Sequence, residues 1–306
     1  MHTVYIDSEM DDAARRHRVY DGQIFVFTPR RSTRALIAHA RHMIEAAFPG
    51  KDPRYAQFDM TVEEYVDVVA PLKPAFIHNT KTKRLIRAVL TELGCDLDRT
   101  YQDVPRLRMV TSDAYLTAGV GYAHPLHRDV WWSAPHAQLN WWLPVYEFET
   151  ECSMAFHPRG WDQPVMNGSA DFNYYEWNAV GRAQAASQIT TDTREQPIPR
   201  EDFDPNPQVR FVVPPGGIVL FSGAQLHSTV PNTSGYTRYS IDFRTVNLDD
   251  VIDGFGAHNI DNASTGTSLR DFKRASDFAD ISEAVVERYD IGPKPADGVL
   301  VYAPAS

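Results

Sequence analysis

The hydrophobic pattern of the sequence changes near residue 100, and this change constrains the fold more than any other feature. Beyond it, apolar residues form short runs, separated by turn sequences at residues 119–121, 214–217 and 231–235. The pattern predicts strands at residues 106–116, 138–145, 152–156, 209–213, 218–221 and 236–246. Many short strands joined by such turns are typical of a β-sandwich or a jelly roll.

The first hundred residues have helical periodicity instead. Helices are predicted at residues 32–48, 61–70 and 80–93. The second begins at a capping box formed by Thr61 and Glu64, and we expect it to end at Pro71, because proline disrupts a helix interior. Helices that are separated from strands along the chain indicate an α+β fold, with N-terminal helices flanking a double-stranded β-helix (jelly-roll) core.

The 306 residues are expected to form a single domain. In this interpretation residues 1–100 are the helical flank, 101–247 the jelly-roll core and 248–306 a C-terminal helical segment. A polar stretch at about 158–207, with an Ala-rich helical piece at 179–188, is predicted to be a long lid insertion, because long insertions between strands are often functional. An amphipathic helix is predicted at 268–289.

Composition excludes several classes of protein. The net charge is -10 and no basic patch is evident, which argues against nucleic-acid binding. The sequence contains no run of about 18 apolar residues, so no membrane span is expected. The N-terminus lacks the apolar run of a signal peptide. Cys95 and Cys152 form no CxxC pair, so neither a disulfide framework nor a cysteine-based zinc site is expected. We expect a soluble cytoplasmic protein whose partner is a small molecule; the sequence gives no oligomeric state.

The residues that indicate a chemistry are His127 and Asp129, in an HxD motif, and His227, 100 positions after the first histidine. Two imidazoles and one carboxylate can occupy one face of iron(II) and leave the other face open. Residues two apart on a strand point to the same side, so His127 and Asp129 can bind one ion if they lie on a strand. The HxD motif alone is weak evidence, because roughly one is expected by chance in a chain of this composition.

The segment after His227 strengthens the prediction. Arg238 and Ser240 alternate on one face of a predicted strand, eleven and thirteen residues after that histidine. A guanidinium and a hydroxyl together suit the distal carboxylate of 2-oxoglutarate. Arg238 alone would be better explained as an exposed strand arginine.

Taken together, H-x-D, a distal histidine and R-x-S resemble the iron(II)/2-oxoglutarate-dependent oxygenases, most closely the phytanoyl-CoA dioxygenase-like branch. Trp141 and the turn and strand at 215–221 also resemble that branch. The resemblance implies that His127, Asp129 and His227 bind iron(II), that Arg238 and Ser240 bind 2-oxoglutarate, and that O2 oxidises a C–H bond of the substrate. Because Asp129 fills the position that halogenating relatives leave free for chloride, hydroxylation or oxidative cyclisation is expected.

Substrate residues are predicted among tryptophans and polar strand residues. All six tryptophans lie between residues 131 and 177, and Trp131, Trp132 and Trp141 are expected to line the pocket, although core packing explains any one of them equally well. Asp242 and Arg244 continue the face of Arg238, and they either contact substrate or form an internal ion pair. Residues 145–204 include eleven acidic and four basic residues, a charge run that is usually a solvated face; if the insertion is a lid, it would favour a cationic or polyhydroxylated substrate. The family resemblance implies a sugar or an aminocyclitol derivative, because related enzymes of specialised metabolism include oxidative cyclases that act on sugars.

Two other functions remain open at this point. A cupin-type metalloenzyme would need no 2-oxoglutarate, but it would use more histidine ligands and would have no reason for Arg238 and Ser240. A non-enzymatic jelly-roll carbohydrate-binding protein would stack sugar rings on the tryptophans and would bind no iron.

Overall fold

The computed structural model describes residues 3–182, 184–188 and 190–301. Within these ranges a β-sheet core is flanked by helices, which confirms that part of the predicted architecture. Its α-helices are α1 (Asp12–Tyr20), α2 (Arg31–Ala47), α3 (Val62–His78), α4 (Thr80–Glu92), α5 (Tyr174–Glu176), α6 (Leu248–Asp253) and α7 (Glu283–Val286). Its strands are β1 (Val4–Ile6), β2 (Ile24–Phe27), β3 (Thr100–Gln102), β4 (Arg106–Val110), β5 (Leu139–Pro144), β6 (Met154–Phe156), β7 (Val209–Arg210), β8 (Ile218–Ser222), β9 (His227–Thr229), β10 (Arg238–Asn247) and β11 (Lys273–Arg274).

The strands form two sheets. The larger has eight strands in the order β1-β2-β8-β5-β10-β3-β11, with β4 also paired to β10. Its pairs are antiparallel except for β1 with β2. The smaller sheet has the order β7-β6-β9. The long strand β10 is central to the larger sheet, because it pairs with β5 on one side and with β4 and β3 on the other.

The two faces of β10 differ in polarity. Tyr239, Ile241 and Phe243 belong to the main hydrophobic core, where the sheet packs against α2, α3 and α4. The alternate residues, among them Arg238 and Ser240, line a cavity on the other face. Successive residues of a strand point to opposite faces, so one strand contributes both to the core and to the cavity.

Helix α3 is longer than predicted. It begins at the expected capping box of Thr61 and Glu64, but it continues through Pro71 and Pro74 to His78. Interior prolines cost a helix roughly 3 kcal/mol each. The buried face of α3 extends past both prolines to Phe76 and Ile77, and this packing outweighs the loss of helical hydrogen bonds.

Three further sequence predictions are wrong in detail. Strand β4 ends at Val110 rather than at residue 116, because Asp113 and Ala114 both have φ of 55°, which no strand accommodates. The predicted helix at 268–289 is instead a 3₁₀ turn, strand β11 and the short α7. Here the amide of Ala275 donates to Thr100, so sheet pairing replaces helical bonds.

The predicted helical piece at 179–188 is also different. It is a π-helix at Trp177–Gly181 and a 3₁₀ turn at Ala185–Ser187, and residue 183 lies outside the described residues. Among the helices of the described ranges, none has both the length and the apolarity that crossing a bilayer requires.

Candidate metal centre

A pair of histidines forms the centre of the candidate site: His227 begins β9, and His127 lies in the loop between β4 and β5. The amide of His127 donates to the carbonyl of His227 (2.9 Å), and the amide of His227 donates back to that of His127 (3.0 Å). This isolated antiparallel bridge sets the two imidazole rings 4.2 Å apart, centroid to centroid. Side chains directly opposite each other across such a bridge point the same way. The backbone therefore brings together two histidines that are 100 positions apart in sequence.

Asp129 completes a group that can hold a metal ion. One ligand atom from each of His127, Asp129 and His227 lies within 4.8 Å of the other two. The carboxylate Oδ1 is 3.4 Å from Nε2 of His127 and 3.8 Å from Nε2 of His227. Two imidazole nitrogens and one carboxylate oxygen form the donor set that non-haem iron(II) takes with its remaining positions open. The three side chains thus fit the predicted metal.

Both histidines present Nε2 to the metal position. The Nδ1 of His127 hydrogen bonds to the carbonyl of Pro125 (2.7 Å), and the Nδ1 of His227 to that of Gln225 (2.9 Å). A carbonyl accepts only from a protonated nitrogen, so each Nε2 carries a lone pair. Burial, together with the neighbouring His127, lowers the pKa of His227 to about 3, which keeps its ring neutral and able to bind metal.

The local structure of the motif differs from the prediction. His127 takes part in the bridge, but Asp129 begins a 3₁₀ helix, Asp129–Trp132, rather than continuing a strand. The amide of Val130 donates to the carbonyl of Gly223, which ties this turn to the segment before His227. The acid reaches the two imidazoles through that turn and not through the period of a strand.

The other oxygen of Asp129 is held by protein groups. Oδ2 accepts hydrogen bonds from Nε2 of Gln138 (3.1 Å) and Nε of Arg244 (3.3 Å). Burial alone would raise the pKa of Asp129, but Arg244, His127 and His227 outweigh it and hold the pKa well below its ordinary value. The carboxylate is therefore ionised, as a metal ligand must be.

Arg238 and Ser240 lie in the same cavity as the triad, which has a volume of about 430 Å³. Arg238 is 4% exposed and Ser240 is fully buried. The Nε and Nη1 of Arg238 and the Oγ of Ser240 have no hydrogen-bond partner among the described residues. Buried donors without partners are rare and costly, so these atoms point to a missing polar ligand.

Among the residues that the structure describes, seven cationic side chains line the cavity: Lys73, Arg106, Arg108, Arg182, Arg194, Arg238 and Arg244. Five of them have a carboxylate within 4.0 Å. The pairs are Arg106 with Asp103, Arg108 with Asp242, Arg182 with Asp271, Arg194 with Asp192, and Arg244 with Asp129. Lys73 and Arg238 have none among the described residues. Sequence reasoning did not find Lys73, because its place on α3 is a typical position for an exposed lysine.

The acidic residues of the insertion do not form the cavity wall. Ten of the eleven at 145–204 are exposed, and the other, Asp192, pairs with Arg194. Among its described residues, the insertion gives the cavity Tyr174, Trp177 and Arg182 as well as Ala185 and Arg194. The charge run is therefore a solvated surface, as such runs usually are, and it does not present an acidic face to a substrate.

The predicted substrate tryptophans separate into two groups. Trp132 lines the cavity, with Trp177 packed edge-on against it at 5.0 Å. Trp131 is fully buried elsewhere and donates its indole N–H to Asp261 (2.8 Å). Trp141 also lines the cavity, although its ring stacks on Phe243 and belongs to the main hydrophobic core.

The neighbouring Trp142 lines the cavity as well. Its ring lies 5.4 Å from the guanidinium carbon of Arg238. Asp242 and Arg244 both line the cavity, and both are ion-paired, Asp242 with Arg108 (2.7 Å) and Arg244 with Asp129. Burial raises the pKa of Asp242, but Arg108 and Arg244 outweigh it and lower it to about 2. The structure thus favours the ion-pair interpretation of these two residues.

No family model matches the sequence, and no curated protein matches it. The structure is similar to EvdO2 from Micromonospora carbonacea var. aurantiaca complexed with 2-oxoglutarate, at 15% identity and a TM-score of 0.44, covering 79% of this chain and 93% of that chain. It is similar to AviO1 from Streptomyces viridochromogenes Tue57 (15% identity, TM-score 0.39, 78% and 96% covered). It is also similar to the epimerase SnoN in complex with Fe3+, alpha ketoglutarate and nogalamycin RO (15% identity, TM-score 0.39, 77% and 85% covered). Values this low identify neither a family nor an activity for this chain.

Proposed function

We propose that the protein is an iron(II)- and 2-oxoglutarate-dependent dioxygenase that oxidises an unactivated C–H bond of a small molecule. The observation that supports this most strongly is the pairing of two features in one cavity. A two-histidine, one-carboxylate group lies beside a buried guanidinium and hydroxyl whose polar atoms have no protein partner. The two alternative functions do not explain why Arg238 and Ser240 have no protein partner. A cupin-type metalloenzyme needs no co-substrate there, and a carbohydrate-binding protein needs no metal.

The charges of the cavity support a dianionic co-substrate. Arg238 and Lys73 are the two lining cations without a carboxylate partner among the described residues. 2-Oxoglutarate has two carboxylates. Arg238 and Ser240 bind its distal carboxylate, and Lys73 compensates charge at the other end of the molecule. Charge-assisted hydrogen bonds of this kind are the strong ones, particularly in a buried site.

The residues of the chain have separate tasks in this proposal. His127, Asp129 and His227 hold the iron, and Arg238 with Ser240 orients 2-oxoglutarate. When bound, iron(II) with 2-oxoglutarate and O2 supplies the oxidising power, and 2-oxoglutarate is converted to succinate and CO2. The rest of the cavity positions the substrate C–H bond and excludes water. Hydroxylation and oxidative cyclisation both follow from this arrangement.

We also propose that the two sheets are the two halves of a double-stranded β-helix and that the insertion at about 158–207 is the lid over its open end. In this proposal the chain is one oxygenase domain of the phytanoyl-CoA dioxygenase-like branch, with helical segments at 1–100 and 248–306. The common cavity of the triad, of β10 residues and of insertion residues supports this assignment.

The substrate that fits the cavity is a ring-bearing, hydroxylated molecule such as a sugar or an aminocyclitol derivative. Trp132 and Trp177 offer aromatic surface, with Tyr174 beside them. Once 2-oxoglutarate has engaged Arg238 and Lys73, every other lining cation is already paired with a carboxylate. A polyanion such as an acyl-CoA would find no free positive charge there.

The test is anaerobic addition of iron(II) and 2-oxoglutarate to the purified protein. A weak visible charge-transfer band is expected in the wild type and is expected to vanish in Asp129→Ala. Admitting O2 should then release succinate, which distinguishes this activity from a cupin-type reaction. Absence of the band in wild-type protein that binds iron(II) would reject the proposal. A panel of neutral hydroxylated metabolites, scored by coupled succinate release, then addresses the substrate.

A further inference from the structure

The two carboxylate oxygens of Asp129 contact different partners. Oδ1 faces the two histidine Nε2 atoms, whereas Oδ2 accepts from Gln138 (3.1 Å) and Arg244 (3.3 Å). The Asp129 side chain is 10% exposed and that of Arg244 17%. Water therefore has little access to replace either donor.

The two donors are themselves fixed. Nη1 of Arg244 lies 3.5 Å from both Asp103 and Asp242, and the Arg244 amide donates to Asp103 (2.8 Å). The side-chain Nε2 of Gln138 also donates to Oδ1 of Asn140 (2.9 Å). Rotating Oδ2 toward a metal would therefore break two hydrogen bonds, one of them charge-assisted, inside a buried network.

Gly223 lies against both Gln138 and Asp129. A Cβ atom at this position would lie 3.1 Å from the side-chain Nε2 of Gln138 and 3.6 Å from the Cβ of Asp129. The second distance is an ordinary contact, and the first would shift Nε2 of Gln138 by only a few tenths of an ångström. Residue 223 thus borders the hydrogen bond between Gln138 and Asp129.

The number of coordination positions makes the orientation of Asp129 important. An octahedral iron with two histidines and one carboxylate oxygen has three positions left. A chelating 2-oxoglutarate takes two, and one remains for O2. A carboxylate that binds through both oxygens would fill that last position.

We propose that Arg244, assisted by Gln138, is a positioning residue that restricts Asp129 to binding the metal through Oδ1 and so keeps a position open for O2. This inference rests on the proposed function. Of the two roles that the sequence left open for Arg244, substrate contact and an internal ion pair, it gives the ion pair a function, the control of a metal ligand.

The test measures nitric oxide binding to the anaerobic protein loaded with iron(II) and 2-oxoglutarate. Nitric oxide binds where O2 binds and gives a distinct EPR signal, so no turnover is needed. In Arg244→Met the affinity for nitric oxide should fall roughly tenfold or more, the scale of one lost charged hydrogen bond. Iron(II) affinity should be retained, because Asp129 still binds. Arg244→Lys keeps a cationic donor and should restore most of the nitric oxide affinity.

Arg106→Met is the matched control. Arg106 lines the same cavity and also pairs with Asp103, but it makes no contact with Asp129. Its nitric oxide affinity should equal that of the wild type. If Arg244→Met is not folded by circular dichroism, Gln138→Met decides, with a fall of roughly threefold expected from the loss of an uncharged donor.

The proposed function and the proposed role of Arg244 can be rejected separately. Wild-type protein that binds no iron(II), or no 2-oxoglutarate, would overturn the proposed function. Wild-type protein that binds both, together with a folded Arg244→Met whose nitric oxide affinity is unchanged, would overturn only the role of Arg244.

Discussion

At the scale of single residues, the protein keeps a buried charge that its own fold does not neutralise. Two nitrogens of Arg238 have no partner among the described residues, and burial lowers the pKa of Arg238 to about 10. A buried polar group without a partner costs about 1–3 kcal/mol of folding free energy. Function therefore explains Arg238 better than stability does.

Replacing Arg238 should stabilise the ligand-free protein and weaken the binding of 2-oxoglutarate. Arg238→Met is expected to raise the free energy of unfolding of the ligand-free protein by about 1–3 kcal/mol and to weaken 2-oxoglutarate binding by roughly tenfold or more. Urea unfolding and anaerobic titration measure the two effects. Arg108→Met should instead destabilise the protein, because it leaves Asp242 without its 2.7 Å partner. A destabilised Arg238→Met would contradict the prediction.

Lys73, which donates to the carbonyl of Val120 but has no carboxylate partner among the described residues, predicts a pH dependence. Burial lowers the pKa of Lys73 to about 7, with Arg108 and Arg194 adding to the effect and Asp242 opposing it. Below about pH 7 the ammonium is charged and attracts a carboxylate. Above it, the free protein must first take up a proton, so the dissociation constant for 2-oxoglutarate should rise between pH 7 and 9. The measurement is an anaerobic 2-oxoglutarate titration at several pH values.

Lys73→Met is the control for that titration and should bind 2-oxoglutarate weakly at every pH. Asp242 and His124, which lie near Lys73, do not change charge between pH 7 and 9. The pKa of Asp242 is about 2, and burial holds the pKa of His124 well below its ordinary value. A rise of equal size in wild type and Lys73→Met would assign the pH effect to another group.

At the scale of elements, the closure of the cavity depends on a contact between two loops. Gly119 has φ of +70°, and a Cβ there would lie 2.1 Å from the carbonyl oxygen of Gln188 and 2.4 Å from that of Ala185. These backbone atoms cannot move aside independently of their segment. The described part of the insertion is thus packed directly on the turn at 119–121.

Gly119→Ala should detach this part of the insertion. Trypsin is expected to cleave the variant faster than the wild type at Arg182 or Arg194, two insertion residues on the cavity wall. Gly235→Ala is the control, because Gly235 has a similar φ of +76° but nothing within 4 Å of its added Cβ. Equal cleavage of the two variants would attribute the effect to backbone strain and not to the lost contact.

At the scale of the whole molecule, ligand binding should stabilise the fold. A ligand that binds only the folded state adds about 2.7 kcal/mol at a concentration 100 times its dissociation constant. Iron(II) with 2-oxoglutarate, added anaerobically, should increase the free energy of unfolding by that order, as measured in urea. Asp129→Ala removes one of the three side chains of the metal-binding group, so it should abolish the increase, and an equal increase in that variant would place the metal elsewhere.

The sequence determined much of the local structure, because local structure depends on neighbouring residues. The capping box of Thr61 and Glu64, the helices near 32–48 and 80–93, and the alternation of Arg238 and Ser240 on β10 are all read from short spacings. Two local predictions failed where distant packing overrode propensity: α3 continues through Pro71, and the segment at 268–289 pairs with β3 in place of forming a helix.

Only the tertiary structure decided how the site is assembled. The backbone bridge between His127 and His227, the pairing of Arg244 with Asp129 and the position of Lys73 in the cavity all join residues far apart in sequence. Sequence spacing identified which side chains can bind iron and a carboxylate; pairing between strands fixed which of them share one cavity.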